Sequence, residues 1–323
     1  MTYTTPNAET RRADIDAIIF DMDGVLLDIT DSIRAAACLA VPYYLRTVLG
    51  WPAPDDLVTS PDIELFKNAG GFNDDIDLVC ALVLHYVAKG HEHPMATPDT
   101  LNVIQPKLNR YAARIGDRGG WLRAAENIAF ENLSQEDRLA VETDYRKPLI
   151  KQVFLEMFAG DLCERLYGAP ATLYTGPGYI YKDKPLIDLT KLPAGVPLGM
   201  QTGRSQAEAQ AGLELCGLAG LIPEEHIITK SNGFPKPLPG GLRLLAKRMG
   251  FRTALYIGDT RDDLRTVQAF NADRTEGDAV FLSAQVLTGP LGKTNEKMFR
   301  NSGADIVAND VNAVLDWVST EHG

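Results

Sequence analysis

The segment Ile15-Asp16-Ala17-Ile18-Ile19-Phe20 is apolar but for one residue and runs straight into Asp21-Met22-Asp23-Gly24-Val25-Leu26. A short apolar run of this kind reads as a buried parallel strand. The acids then fall at its carboxyl end, where open α/β sheets hold their ligands. Residues two apart in an extended chain point to the same side, so Asp21 and Asp23 converge on one small volume, and Gly24 lets the backbone turn sharply beside them. Carboxylates that close repel unless a cation or a shared proton lies between them. The competing reading of Asp-x-Asp-Gly is an acidic strand end entering an ordinary turn. An EF-hand loop fits less well, because its glycine belongs at loop position six and a glutamate at position twelve.

Three further features lie in the second half of the chain. Val196-Pro197-Leu198-Gly199-Met200-Gln201 ends in Thr202-Gly203-Arg204, and Thr253-Ala254-Leu255-Tyr256-Ile257 ends in Gly258-Asp259-Thr260-Arg261-Asp262-Asp263. Between them stands Lys236-Pro237-Leu238-Pro239. Each alone is a weak signal, but their order is specific: Asp-x-Asp, a hydroxyl residue, a lysine, then an acidic Gly-Asp cluster. In this the chain resembles the haloacid dehalogenase superfamily, over about the first thirty residues and everything after about residue 190.

The resemblance implies phosphoryl transfer through an aspartyl phosphate. Asp21 would be the nucleophile. Asp23 would protonate the leaving oxygen and then take a proton from the attacking water. Thr202, Gly203 and Lys236 would hold the phosphoryl oxygens, and Arg204 would add a substrate contact. Asp21, the backbone carbonyl of Asp23, Asp259 and Asp263 would hold Mg²⁺, which offsets the repulsion between a carboxylate and a phosphate dianion. Lys230 competes with Lys236, since it also follows a strand, and Asp262 competes with Asp263. An acid at position 23 favours ester hydrolysis or phosphomutation. The expected function is a phosphatase acting on a small phosphorylated metabolite, with a sugar phosphomutase as the alternative and a catalytically idle binding protein as the reading from another class.

Composition agrees. A chain of 323 residues, 45% of them hydrophobic, exceeds one comfortable core and suggests two domains. A net charge of −11 disfavours nucleic acid or an anionic membrane surface as partner. Cys38, Cys80, Cys163 and Cys216 are scattered with no Cys-x-x-Cys pair, which suggests buried free thiols in a reducing compartment. The polar start of the chain lacks the apolar core of a signal peptide, so a cytoplasmic location is expected.

The fold class expected is α/β: a doubly wound, Rossmann-like parallel sheet built from residues 1–30 and 190–323, with a mainly helical cap of residues 31–189 inserted after the first strand and ending in a short hairpin. The core strands are placed at 196–201, 226–229, 253–257, 278–282 and 304–307. Within the cap, helices are expected over 31–50 with a kink at Pro42, over 62–67, from an Asn73 N-cap, and over 99–115, 120–130 and 134–167, the last broken at Pro148. Leu173-Tyr174 and Tyr179-Ile180-Tyr181 flank Gly176-Pro177-Gly178 as the hairpin arms. An insertion this long exceeds the family's usual cap. His91-Glu92-His93 has the look of a metal motif, although alternate residues before Pro94 read better as solvated surface. The turn Asn68-Ala69-Gly70-Gly71-Phe72 is either a plain helix stop or a loop that reads the leaving group, with Lys67 and the helix N-terminus at Asn73 as candidate substrate contacts.

Overall fold

The computed structural model describes residues 2–72, 74–96, 98–275, 277–289 and 292–319. It divides into two compact units, Met1–Ile29 with Asp183–Gly323, and Thr30–Lys182.

The chain opens with β1 (Tyr3–Thr4) and α1 (Pro6–Arg11), crosses the core as β2 (Ala17–Phe20), and leaves through the short β3 (Leu27–Asp28). The inserted unit follows, with α2 (Ile33–Tyr43), α3 (Ser60–Ala69), α4 (Asp75–Glu92), α5 (Pro98–Leu101), α6 (Leu108–Asp117), α7 (Trp121–Phe130), α8 (Gln135–Asp144), α9 (Lys147–Ala159) and α10 (Cys163–Tyr167). The return brings β4 (Lys184–Pro185), β5 (Leu198–Gln201), α11 (Gln206–Leu215), β6 (Ile227–Ile228), α12 (Gly240–Met249), β7 (Thr253–Gly258), α13 (Arg261–Ala272), β8 (Val280–Val286), α14 (Glu296–Asn301), β9 (Ile306–Ala308) and α15 (Val311–Ser319).

The core sheet has the order β1-β9-β8-β7-β2-β5-β6 and is parallel except for the β1 edge. It is the α/β fold with an inserted helical unit that the motif order implied. β2 lies between β5 and β7, with Phe20 opposite Met200 and Ile257. The residues just past β2, β5 and β7 therefore emerge side by side at one end of the sheet. One sheet face is buried by Ala17, Ile19, Ala254, Tyr256 and Phe281 against Leu242, Leu245, Val267 and Phe270 of the helices. Phe281 meets Phe251 and Phe270 edge-on at 5.2 and 4.8 Å. β1 and α1 lie in a segment the sequence reading left unassigned, although Thr5-Pro6 carries the cap and N1-proline signal.

Within the inserted unit, α4 is enclosed rather than one-sided: Leu78 to Lys89 are all buried, and α2, α7, α8 and α9 pack around it. Its N-cap is Asp74, whose side chain accepts from the Ile76 N–H, and not Asn73, which lies outside the described residues. Pro42 does not end α2. The helix runs on to Tyr43, and a π-turn over Tyr44–Val48 follows. The expected helix over 99–115 is two helices with Pro106 between them, and the expected helix over 134–167 is broken at Tyr145 and Arg146, just before Pro148 in the first turn of α9.

One boundary and one element change. The second core segment begins at Asp183 rather than 190, because β4 already pairs antiparallel with β3, Asp28 opposite Lys184. The hairpin at 173–181 does not form. The Leu173 and Tyr174 N–H groups donate to the buried Glu156 carboxylate at 2.6 and 2.8 Å, which leaves them unable to enter a ladder, and Tyr179–Lys182 is a 3₁₀ turn.

Candidate active site

At the carboxyl end of β2, the Asp21 N–H donates to the Ile257 carbonyl of β7 at 2.8 Å, and its Oδ1 accepts from the Met22 N–H at 2.7 Å. The carboxylate is thus fixed to the sheet on both sides. Gly24 turns the chain at φ 76°, and a β-carbon there would collide with the Asp259 carboxylate. Asp259, 3% exposed, follows β7 directly.

Thr260 caps α13 and exchanges hydrogen bonds with Asp263 in a capping box. Asp263 Oδ2 accepts from the Thr260 N–H at 2.9 Å, the Thr260 hydroxyl at 2.6 Å and the Asp259 N–H at 3.2 Å. Asp263 Oδ1 accepts from the Tyr256 hydroxyl at 3.0 Å and from Lys236 Nζ at 2.6 Å. Lys236 also reaches Asp21 Oδ2 at 2.9 Å. Between the rival lysines, Lys236 is the one that joins the acids, with its side chain 9% exposed, whereas Lys230 is exposed in a turn after β6. Between the rival acids, Asp263 belongs to the cluster and Asp262 faces Arg265 at 3.4 Å.

Asp21, Asp259 and Asp263 are all buried, with one oxygen of each within 4.8 Å of the others. Three carboxylates against one ammonium leave this pocket negative. Burial pushes the Asp21 carboxyl up to about 7, with Asp263 and Asp23 adding repulsion against the pull of Lys236. Asp263, despite burial that opposes ionisation, is held below the ordinary carboxylate range by Lys236 and by the Thr260 donors. An all-oxygen, buried and net negative donor set fits a hard divalent cation. The two Asp263 oxygens accept five hydrogen bonds between them, against one at each Asp21 oxygen, so Asp263 suits the outer sphere and Asp21 direct ligation.

Thr202, 4% exposed, follows β5 and is tied to β6 by its N–H on the Ile228 carbonyl at 2.8 Å, with Gly203 next in the same turn. Arg204, expected to contact substrate, is buried against two carboxylates: its Nε and Nη2 lie 2.9 and 2.8 Å from Asp23 Oδ1, and Nη2 donates to Asp183 Oδ2 at 2.9 Å. In the inserted unit, Lys67 is paired with Asp75 at 2.7 Å, so its charge is already matched. Asn73 lies outside the described residues. His91 Nε2 lies 3.0 Å from the acceptor Asp144 Oδ2 and the ring sits edge-on to Trp51, and no metal cluster among the described residues includes it.

The sequence reading missed Asp183, the Tyr256 hydroxyl and the loop after β8. There Thr288 donates to the Gly24 carbonyl, and Gly289 lies so near Asp259 that a β-carbon would strike the carboxylate. Only Gly289 carried a signal, a glycine after an apolar strand.

The adjacent ends of β2, β5 and β7 carry Asp-x-Asp, Thr and Gly-Asp, with Lys236 bridging the acids, and this arrangement is that of a hydrolase. The model of the haloacid dehalogenase-like hydrolases matches residues 15–271, and the chain belongs to that family. Among solved structures, a phosphatase from Thermococcus thioreducens is similar at 21% identity, covering 94% of this chain and 99% of that one, with a TM-score of 0.56. A Northeast Structural Genomics Consortium target is similar at 18% identity, covering 93% and 97%, also with a TM-score of 0.56. At such identities the likeness speaks to the fold alone. A search of curated proteins found no match.

Proposed function

We propose that this chain is a Mg²⁺-dependent phosphatase that hydrolyses a small phosphate monoester through an aspartyl phosphate on Asp21. The observation that carries the reading is the buried cluster in which Lys236 bridges Asp21 and Asp263 while Asp259 completes the acidic set. Asp21 Oδ2 attacks phosphorus in line, the ester bond breaks, and the leaving oxygen takes a proton from Asp23. Water then attacks the phosphorus of the acyl phosphate and gives its proton to Asp23, and Asp21 leaves as a carboxylate. Lys236 and Thr202 donate to the transferring oxygens. Bound Mg²⁺, held by Asp21, Asp259 and the Asp23 carbonyl with Asp263 behind them, would neutralise the charge of the phosphoryl group. Among the described residues no helix is long and apolar enough to cross a membrane. The four buried free thiols suit a reducing compartment, so the proposed setting is the cytoplasm and the proposed substrate a phosphorylated metabolite.

The test is phosphate release from a panel of phosphorylated metabolites and one aryl phosphate, with and without Mg²⁺. Metal-dependent release that Asp21→Asn lowers by at least about a hundredfold, with the thermal melt retained, is expected. Release that ignores both the metal and this substitution would remove the reading.

A further inference from the structure

Arg204 is anchored at its backbone to the loop after β5. Its N–H donates to Thr202 Oγ1 at 3.2 Å, and its carbonyl accepts from the Lys230 N–H at 3.0 Å. Its side chain, 2% exposed, ends between two carboxylates distant in sequence from it and from each other. Asp23 stands on the turn after β2, and Asp183 is the first residue of the returning core segment.

These two carriers are themselves bonded together. The Gly24 N–H donates to the Leu27 carbonyl at 2.8 Å, β3 pairs with β4, and the Leu186 N–H donates to the Leu26 carbonyl at 2.9 Å. Asp183 therefore has little freedom, and its own side chain is 2% exposed.

The division of the guanidinium decides which oxygen of Asp23 remains for chemistry. An arginine with a single carboxylate partner settles into a two-pronged fork that engages both oxygens. Here both contacts to Asp23 fall on Oδ1, while Nη2 is shared with Asp183. Asp23 Oδ2 takes no hydrogen bond from the described residues, and the side chain is 26% exposed. That oxygen is oriented yet open.

We propose that Asp183 is a positioning residue which, by sharing Arg204, holds Asp23 on one oxygen and keeps the other in place for proton transfer. The inference rests on the phosphatase reading above. Without the Asp183 charge, the guanidinium turns fully to Asp23, forks both oxygens and takes Oδ2 out of the reaction. With a poor leaving group the loss falls on breaking the ester bond, which needs the proton from Asp23. With an activated aryl phosphate, whose phenolate leaves without help, it falls only on the second step, where Asp23 must accept the proton of water.

The experiment is rapid acid quench of the full-length protein with Mg²⁺ and two substrates, an aryl phosphate of an acidic phenol and a simple alkyl phosphate, comparing wild type, Asp23→Asn, Asp183→Asn and Arg204→Lys. For Asp183→Asn we expect a phenol burst within about threefold of wild type, steady-state turnover lower by at least about tenfold, accumulated phosphoenzyme, and at least about a tenfold loss in phosphorylation by the alkyl phosphate. Arg204→Lys keeps a charge but cannot bridge Asp23 and Asp183, so Asp23 loses its fixed orientation instead of being forked; the same split between the two substrates is expected, and this variant carries the test if Asp183→Asn does not fold. Equal slowing of both substrates without phosphoenzyme, or no change, overturns the proposal, because a merely structural role lowers the active fraction and leaves the balance of the two steps alone. If Asp23→Asn accumulates phosphoenzyme and the other two variants do not, this inference alone fails. If wild type neither turns over nor labels, the phosphatase reading fails with it.

Discussion

A carboxyl pushed up to about 7 by burial is protonated below that pH, and in the proposed mechanism a protonated Asp21 could not attack phosphorus. A divalent cation at the same carboxylate competes with the proton, so the acid limb of activity is tied to metal concentration. The sign follows directly: metal favours the ionised form, and raising it moves the limb to lower pH. We expect the acid limb of kcat/KM to lie near neutrality at limiting Mg²⁺ and to fall by at least about one unit at saturation. A limb that stays fixed while Mg²⁺ varies would detach Asp21 from the metal. Asp21 itself was legible in the sequence, since a strand end marks its place; its elevated pKa was not, because that depends first on burial within the folded sheet and then on groups such as Asp263, which stands 242 positions later in the chain.

At the scale of an element, the start of α13 serves two purposes at once. The Thr260 hydroxyl caps the helix and also donates to Asp263 at 2.6 Å, so the capping box is what orients the outer acid of the cluster. Thr260→Ala should cost about 1 kcal/mol in urea melts. It should also weaken Mg²⁺ binding, measured by calorimetry, whereas Thr260→Ser should restore both. An alanine variant with unchanged metal affinity would show that Asp263 is held well enough by Lys236 and Tyr256 alone. Elements were read well where their signal is local. The strands and caps fall close to their sequence positions, with Thr59 rather than Ser60 capping α3. The failed hairpin shows the limit: Gly176-Pro177-Gly178 has the turn chemistry, but a buried glutamate from α9 takes the N–H groups a ladder would have used.

Across the whole molecule, stability has its own pH dependence, seated in the inserted unit. His85 on α4 is 3% exposed, stacked on Tyr111 at 4.8 Å, and burial, with Lys89 adding repulsion, holds it well below its ordinary value. Its Nε2 is buried with no hydrogen-bond partner among the described residues. The folded chain keeps this ring neutral while the unfolded chain takes up a proton below about pH 6.5, so stability is lost as pH falls through that value. Between pH 6 and 5, His85→Phe should remove up to about 1.4 kcal/mol per pH unit of that loss relative to wild type, read from paired urea melts. Parallel slopes for the two proteins would mean that His85 is protonated in the fold.

The sequence by itself determined the class. Apolar runs at 15–20, 196–201 and 253–257, each ending in polar residues, mark buried strands and their carboxyl ends through hydrophobicity and turn chemistry, both local properties. The order of those ends names the family without any contact being known. What only the tertiary structure decided is which groups meet. Lys236 over Lys230, Asp263 over Asp262, and the sharing of Arg204 between Asp23 and Asp183 all follow from strand order and register. Those are set by packing the whole sheet, and no window of sequence contains them.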